Sequence, residues 1–359
     1  MGPPLTGSVL VRLPSWLGDF VMAEPLVRAL VARVRRGHVT LVARAPHLEL
    51  LEGRFLDARR VALDGAGAED ARAWRGHDVA LLCTGSFRSA WTAWRAGIPR
   101  RIGFARDGRG FLLTDSIVAA RERGALPLGL GIHGRGPRWL PRPLERSLAE
   151  LAALAGVTER DPRPRIEVRP EALAAARARR TGAGLAADEP YVLANVGARA
   201  GSAKGYPAES WAAVLGELAR RGPPLVLVSG PGEEAALEAV RSRLSNVPLV
   251  LASAARLPEL AALCAEAALV VTPDTGPRHV ARAVGAPTLV LSGPTDPRHT
   301  AGERPHESLV RVAVSCGPCH RERCPLAGAE LHRCWTAIEP ARVVEAALAL
   351  LPASATMRA

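Results

Sequence analysis

Aromatic residues are scarce in this chain: five Phe, seven Trp and two Tyr among 359 residues, 4% in all. Proteins that bind single-stranded nucleic acid stack bases on aromatic rings, so that reading starts weak. Cysteine is scarce as well, and six in a chain of this length cannot build a disulfide scaffold. Lysine is almost missing. Lys204 is the only one, which makes 46 of the 47 basic residues arginine. No apolar run is long enough for a transmembrane helix, and Glu345 interrupts the last long stretch. The start of the chain lacks the basic n-region of a secretory signal, and Arg12 breaks its first apolar run. The expectation is a cytoplasmic protein whose membrane contact is peripheral.

What the chain does have is core material. Hydrophobic residues make up 48% and charged residues 23%, and at about 150 residues per domain the length suggests two domains. The net charge of +12 favours polyanions: nucleic acid, an anionic membrane face or a phosphorylated substrate. A solvated arginine-rich surface accounts for the same excess. The lone lysine is the sharper signal, because an ammonium binds phosphate as a point charge that a guanidinium does not freely replace.

Short β-type runs alternate with helical periodicity. Residues 9–13, 39–43 and 78–83 read as strands, and after Gly18 one helix is expected to carry Ala23, Leu26, Val27, Leu30 and Val34 on a single stripe. The stretch 121–170 is rich in Pro, Gly and Arg around one helix near 144–154, and Arg/Pro-rich 161–165 marks a boundary between domains 1–168 and 169–359. After a helix near 171–180 the pattern restarts. Strands are expected at 191–195, 225–229, 249–251, 269–272 and 288–291, with helices near 207–220, 233–244, 257–265 and 279–284. Pro207 suits a first helical position. The apolar helix 340–351 is free to pack back on the first domain. This order predicts two α/β domains with parallel sheets facing a central cleft, and ligands at the carboxyl ends of the strands.

Four constellations could carry chemistry. Residues 12–25, Arg-Leu-Pro-Ser-Trp-Leu-Gly-Asp-Phe-Val-Met-Ala-Glu-Pro, follow the first strand. The dinucleotide fingerprint and the P-loop are both missing there, which removes most support for nicotinamide or NTPase chemistry. Asp19 instead sits at a helix start, either stabilising that terminus or serving as a general base. Loop 197–207, Gly-Ala-Arg-Ala-Gly-Ser-Ala-Lys-Gly-Tyr-Pro, carries Lys204 into a helix. It reads as an anion site lined by small residues or as an ordinary surface loop. Residues 272–279, Thr-Pro-Asp-Thr-Gly-Pro-Arg-His, again run from strand to helix. Asp274, Thr275, Gly276 and His279 suit a diphosphate, or capping with a core histidine. Glu233 could accept hydrogen bonds from a ribose or be a first-turn helix carboxylate. Lastly, Cys316, Cys319, Cys324 and Cys334, with His320 and His332 nearby, have the arithmetic of a structural zinc site. Reduced thiols and a local disulfide are the other readings. Cys83 and Cys264 read as core.

Together these motifs resemble glycosyltransferase family 9, the ADP-heptose:lipopolysaccharide heptosyltransferases, and within it the heptosyltransferase II branch. Pro14-Ser15-Trp16-Leu17-Gly18-Asp19 resembles the N-terminal signature, Ala203-Lys204 with Tyr206-Pro207 the Ala-Lys-Arg-Trp-Pro segment, and Asp274-Thr275-Gly276-Pro277-Arg278-His279 the Asp-(Ser/Thr)-Gly-x-x-His donor motif. Gly293-Pro294-Thr295, the Cys-Gly-Pro-Cys pattern from 316, Ser86-Phe87-Arg88 and Ala96-Gly97-Ile98-Pro99 are similar too. The resemblance implies a GT-B fold and an inverting heptosyltransferase that requires no cofactor. The donor would be ADP-L-glycero-D-manno-heptose and the acceptor the phosphorylated, lipid-linked inner core of lipopolysaccharide, at the inner face of the inner membrane. Asp19 would be the base, Lys204, Glu233, Asp274, Thr275, Gly276 and His279 the donor site, and Ser86 and Arg88 part of the acceptor site. Two departures stand out: Gly205-Tyr206 replaces Arg-Trp, and Pro277-Arg278 replaces Leu-Met. They keep open a GT-B enzyme of another nucleotide sugar or another glycan acceptor. Nucleic acid is not an expected partner.

Overall fold

A computed structural model of the chain describes residues 5, 7–63, 69–118, 120, 140–158, 161–197, 202–244, 249–253, 256–300 and 306–352. Residues 198–201 of the lysine loop, residue 119, and 121–139 of the stretch rich in Pro, Gly and Arg lie outside these. The chain divides after Arg165 into a first unit, which also takes in the stretch from Arg298, and a second unit from Ile166 onward.

The first unit is built on strands β1 (Val9–Arg12), β2 (Val39–Arg44), β3 (Arg59–Leu63), β4 (Val79–Leu82), β5 (Arg100–Phe104) and β6 (Asp115–Ile117). They form one sheet in the order β3-β2-β1-β4-β5-β6, every pair parallel. Its helices are α1 (Leu17–Met22), α2 (Glu24–Arg33), α3 (Ala45–Glu49), α4 (Ala71–Trp74), α5 (Phe87–Arg95) and α6 (Leu144–Leu154). The second unit repeats the plan with β7 (Val192–Asn195), β8 (Leu225–Ser229), β9 (Leu249–Ser253), β10 (Leu269–Pro273), β11 (Thr288–Leu291) and β12 (Glu307–Val310). These are ordered β12-β11-β10-β7-β8-β9, again all parallel. Its helices are α7 (Pro170–Gly182), α8 (Ala208–Arg221), α9 (Glu234–Arg241), α10 (Leu257–Glu266), α11 (Gly276–Ala283), α12 (Arg333–Thr336) and α13 (Pro340–Leu350).

The central strands are buried along their whole length, β1 and β4 in the first sheet and β7, β8, β10 and β11 in the second. A parallel sheet covered on both faces demands this, and it is why those segments read as continuous apolar runs. One expectation is corrected. The single helix after Gly18 is two helices: Pro25 lacks an N–H and sits in the first turn of a new one, so α1 ends at Met22 and α2 begins at Glu24. Val343, Val344 and Ala347 of α13 are buried with Trp211, Val214, Leu215 and Leu218 of α8 in the core of the second unit.

In each sheet the order of the strands reverses at one place, between β1 and β4 in the first and between β7 and β10 in the second. The loops leaving two neighbouring strands there diverge to opposite faces and open a crevice at the strands' carboxyl ends.

Candidate functional site

Asp19, Ser86 and Arg88 follow the strands of the first switch point and Lys204, Asp274, Thr275, Gly276 and His279 those of the second, whereas Glu233 follows β8 and the four cysteines follow β12. In the first unit the loop after β1 leads into α1, whose first turn holds Asp19. The carboxylate lies where the helix N-terminus favours negative charge. Beneath the loop is Arg12, 4% exposed. Its Nε donates to Glu69 Oε1 at 2.6 Å, its Nη2 to Ser15 Oγ at 2.9 Å, and its Nη1 to the Leu13 carbonyl. Ser89 of α5 donates to the same Glu69 oxygen at 2.8 Å. One buried guanidinium thus ties the Asp19 loop to the helix that follows β4. Burial pushes the Arg106 guanidinium down from its ordinary value, and the nearby carboxylates of Asp107 and Asp19 oppose the shift. Arg106 is therefore an electrostatic neighbour of Asp19 that sequence reasoning did not single out as such.

Ser86 caps α5 by position and Arg88 is its second residue; both are exposed. Buried Arg109 fixes this end of the helix. Its Nη1 donates to the Ser86 carbonyl at 2.7 Å, its Nε to the Phe104 carbonyl at 2.8 Å, and its Nη2 to the Thr84 carbonyl.

In the second unit Lys204 follows β7 and the Asp274–His279 motif follows β10. Lys204 is exposed, and its backbone N–H donates to Ser202 Oγ at 3.2 Å. Ala203, just before it, is held at both ends: its N–H donates to the Glu322 carbonyl at 2.7 Å, and its carbonyl accepts from Trp335 Nε1 at 2.6 Å. Glu233 stands at the start of α9 and accepts the Gly230 N–H at 2.9 Å. A Cβ at Gly197 would lie 2.1 Å from Glu233 Oε2, so glycine is required for that carboxylate to lie across the end of β7. Thr275 caps α11 by position, with its hydroxyl accepting from Asn195 Nδ2 at 3.2 Å. Gly276 opens the helix and His279 is 5% exposed on its first turn.

Asp274 differs from its neighbours. Its Oδ1 accepts from Arg278 Nη1 at 2.5 Å and its Oδ2 from Thr295 Oγ1 at 2.7 Å. Arg278 spends its other edge on Glu307, at 2.9 and 2.6 Å. Burial alone would raise the Asp274 carboxyl, but Arg278, Thr295 and His279 hold it below the usual carboxylate range. The i,i+4 spacing of Asp274 and Arg278 was a signal for this pair; nothing local points to Glu307. Tyr206 likewise turns inward: it is buried edge-on to Trp211, and its hydroxyl donates to the Ile338 carbonyl at 2.9 Å.

The zinc expectation gains no support. All six cysteines are free thiols. Burial, with Cys319, Cys316 and Cys324 nearby, pushes the Cys334 thiol up to about 11. Among the described residues no group of three or more His, Cys, Asp or Glu side chains is arranged to hold a metal ion. The segment also acts through its backbone. The N–H groups of Cys319 and His320 donate to the Pro294 carbonyl at 3.1 and 2.9 Å, and the Ala203 clasp comes from the same stretch. Among the described residues no helix is long and apolar enough to cross a membrane.

Comparison with known proteins gives a consistent result. Residues 135–330 match the profile of glycosyltransferase family 9 (heptosyltransferase). The chain is 28% identical to lipopolysaccharide heptosyltransferase 2 of Escherichia coli K12 over 361 residues, 96% of this chain and 98% of that protein. Among solved structures it is similar to E. coli ADP-heptose lps heptosyltransferase II, with a TM-score of 0.71, 24% identity and coverage of 96% and 98%. It is also similar to a family 9 glycosyl transferase from Veillonella parvula, with a TM-score of 0.74, 20% identity and coverage of 96% and 97%. The two parallel-sheet units are those of the GT-B fold.

Proposed function

The chain belongs to glycosyltransferase family 9, and from that premise we propose that it moves a heptose from ADP-L-glycero-D-manno-heptose to the inner core of lipopolysaccharide, with inversion at the anomeric carbon. The observation that carries the reading is the topology: the segments carrying Lys204 and α11 leave the two strands of one switch point, and those carrying Asp19, Ser86 and Arg88 the two strands of the other.

Charge accounting assigns the roles. The acceptor hydroxyl loses its proton to Asp19 as its oxygen bonds to the anomeric carbon, a contribution typically of 10²–10⁴-fold. The bond from that carbon to the diphosphate breaks, and ADP leaves with added negative charge. The Lys204 ammonium, the His279 ring and the N–H groups opening α11 receive that charge. Gly276 lets the phosphate approach the backbone, Thr275 and Glu233 hold the nucleoside and sugar hydroxyls, and Asp274 shapes the loop through Arg278 and Thr295. Ser86 and Arg88 take the phosphorylated acceptor. Within the two departures from the family pattern, Tyr206 and Arg278 are spent on internal packing. Those two side chains therefore give no ground for another donor sugar. A lipid-linked acceptor puts the work in the cytoplasm, at the inner face of the inner membrane.

The test is a product assay with ADP-heptose and a defined core acceptor. Asp19→Asn is expected to lower kcat at least 100-fold while calorimetric donor binding is retained. Turnover with a different nucleotide sugar but not with ADP-heptose would overturn the donor; an unchanged kcat would remove Asp19 from the mechanism.

A further inference from the structure

Helix α5 is arranged inside out. Its small residues Ala90 and Ala93 are fully buried in the core of the first unit, and Ser89 and Thr92 are buried beside them. Its large apolar residues face solvent: Phe87 is 44% exposed, Trp91 40% and Trp94 49%. These three stand at i, i+4 and i+7 and form one stripe. Their rings are in contact, Phe87 with Trp91 at 6.5 Å and Trp91 with Trp94 at 4.9 Å between centroids. The short turn Arg109–Leu112 adds Phe111, 75% exposed and 6.2 Å from Phe87. The patch is preorganised, because buried Arg109 of that turn clasps the carbonyls at the start of α5. Four of the fourteen aromatic residues in an aromatic-poor chain are thus held together on the outside. A monomeric soluble protein has no reason to build and brace such a surface unless something covers it.

The charge around the stripe says what covers it. Arg88 and Arg95 are exposed on the same helix, which holds no acidic residue. The charge of the chain is also one-sided: residues 1–165 hold 26 arginines against 16 carboxylates, ten of the twelve net positive charges. Aromatic rings sit at the level of lipid headgroups, with an apolar body and, in Trp, a polar N–H, while flanking guanidinium groups meet the phosphates. An acidic protein partner would match the charge but would not call for unscreened tryptophans on a helix of this kind.

We propose that the Phe87–Trp91–Trp94–Phe111 stripe is the surface by which the first unit lies on an anionic phospholipid bilayer. This rests on the reading of a lipid-linked acceptor, which it deepens by naming the membrane-contact surface. The stripe begins at the residue between Ser86 and Arg88, so the helix that seats the acceptor glycan is the helix that rests on the lipid. Attachment is peripheral and weakens with salt.

The experiment is co-sedimentation of the full chain with vesicles of phosphatidylglycerol and phosphatidylethanolamine, against vesicles of phosphatidylcholine alone. The intact protein is expected to bind the anionic vesicles at least tenfold more tightly. The variant Trp91→Gln/Trp94→Gln/Phe111→Gln is expected to lose at least tenfold of that affinity, and Trp91→Phe/Trp94→Phe to retain most of it. Turnover of a soluble, lipid-free acceptor should be unchanged by these exposed-face substitutions. As a measure independent of the triple variant's folding, brominated phosphatidylglycerol should quench tryptophan emission of the intact protein, and the Phe/Phe variant should lose the quenched component. Equal binding by the triple variant, equal binding to neutral vesicles, or no quenching overturns the proposal. Failure of the intact protein to bind anionic vesicles while it turns over the soluble acceptor refutes only the surface, whereas absence of heptose transfer by an intact protein that binds those vesicles refutes only the reading of the reaction.

Discussion

Arg278 shows how a single side chain can fix the geometry of a loop. It is 1% exposed and pairs with two carboxylates, Asp274 and Glu307, that are themselves buried. Removing the cation strands both. Arg278→Met is expected to destabilise the protein by about 3–5 kcal/mol, read by urea denaturation at pH 7. The sign of the pH dependence follows from Asp274, whose carboxyl is held below its ordinary value. Its pairing stabilises the fold above the unfolded carboxyl's value, about 3.9, and is lost as pH falls through the lower folded one. Without Arg278 the acid transition should move to higher pH. His47 works at a milder pH. Burial, then the charges of Arg44 and Arg12, hold its ring down to about 4. The unfolded chain therefore takes up the proton first as pH falls below about 6.5, and stability drains away between there and 4, on the order of 3 kcal/mol in total. In His47→Gln the urea midpoint should change less between pH 6.5 and 4.5 than in the parent; an equal slope would reject this account of His47.

At the scale of elements, the stretch from Cys316 to Trp335 acts as a clasp on two loops, one carrying Lys204 and the other Thr295, the partner of Asp274. Trp335 is the strongest part of it. It is 1% exposed, and its ring packs so close to Gly293 that a Cβ there would stand 2.3 Å away. Trp335→Phe keeps an aromatic ring, though a smaller one, and deletes the donor to the Ala203 carbonyl. A loss of roughly 1–3 kcal/mol in stability is expected for the orphaned carbonyl, with a several-fold weaker donor Kd and little change in kcat. An unchanged Kd would mean that the clasp does not set the position of Lys204. The sequence displayed the cysteines and hid the clasp, because backbone hydrogen bonds across 119 residues, such as Ala203 to Glu322, leave no pattern in residue types. The same divide runs through the fold. Central strands such as β8 and β11 are apolar from end to end and legible for that reason. Strands β3 and β12, at the sheet edges, and β5, which opens on Arg100-Arg101, are partly exposed and carry charge, so hydropathy passed over them. The motif residues at the switch points were legible because glycine, a lone lysine and a strand-to-helix transition coincide there. Arg106 and Glu307 were not, since only the folded sheet order or a buried ion pair gives them meaning.

The whole molecule separates its tasks by unit. The residues assigned to the donor, Lys204, Glu233, Thr275, Gly276 and His279, all belong to the second unit, and Asp19, Ser86, Arg88 and nearly all of the net charge to the first. Each unit has its own sheet and its own core. Nucleotide binding should therefore depend on the second unit's residues alone. A ligand that binds only the folded state adds about 2.7 kcal/mol at a hundredfold excess over its Kd. ADP at that excess should raise Tm in a thermal melt, and UDP and GDP should raise it less. Lys204→Ala should lose most of the rise, whereas Asp19→Asn should keep all of it, because the base meets the acceptor and not the diphosphate. EDTA should change neither the rise nor turnover, since the charge on the departing diphosphate is assigned to Lys204, His279 and the start of α11. A shift that vanished in Asp19→Asn, or one that survived in full in Lys204→Ala, would mean that the two units do not divide the substrates in this way.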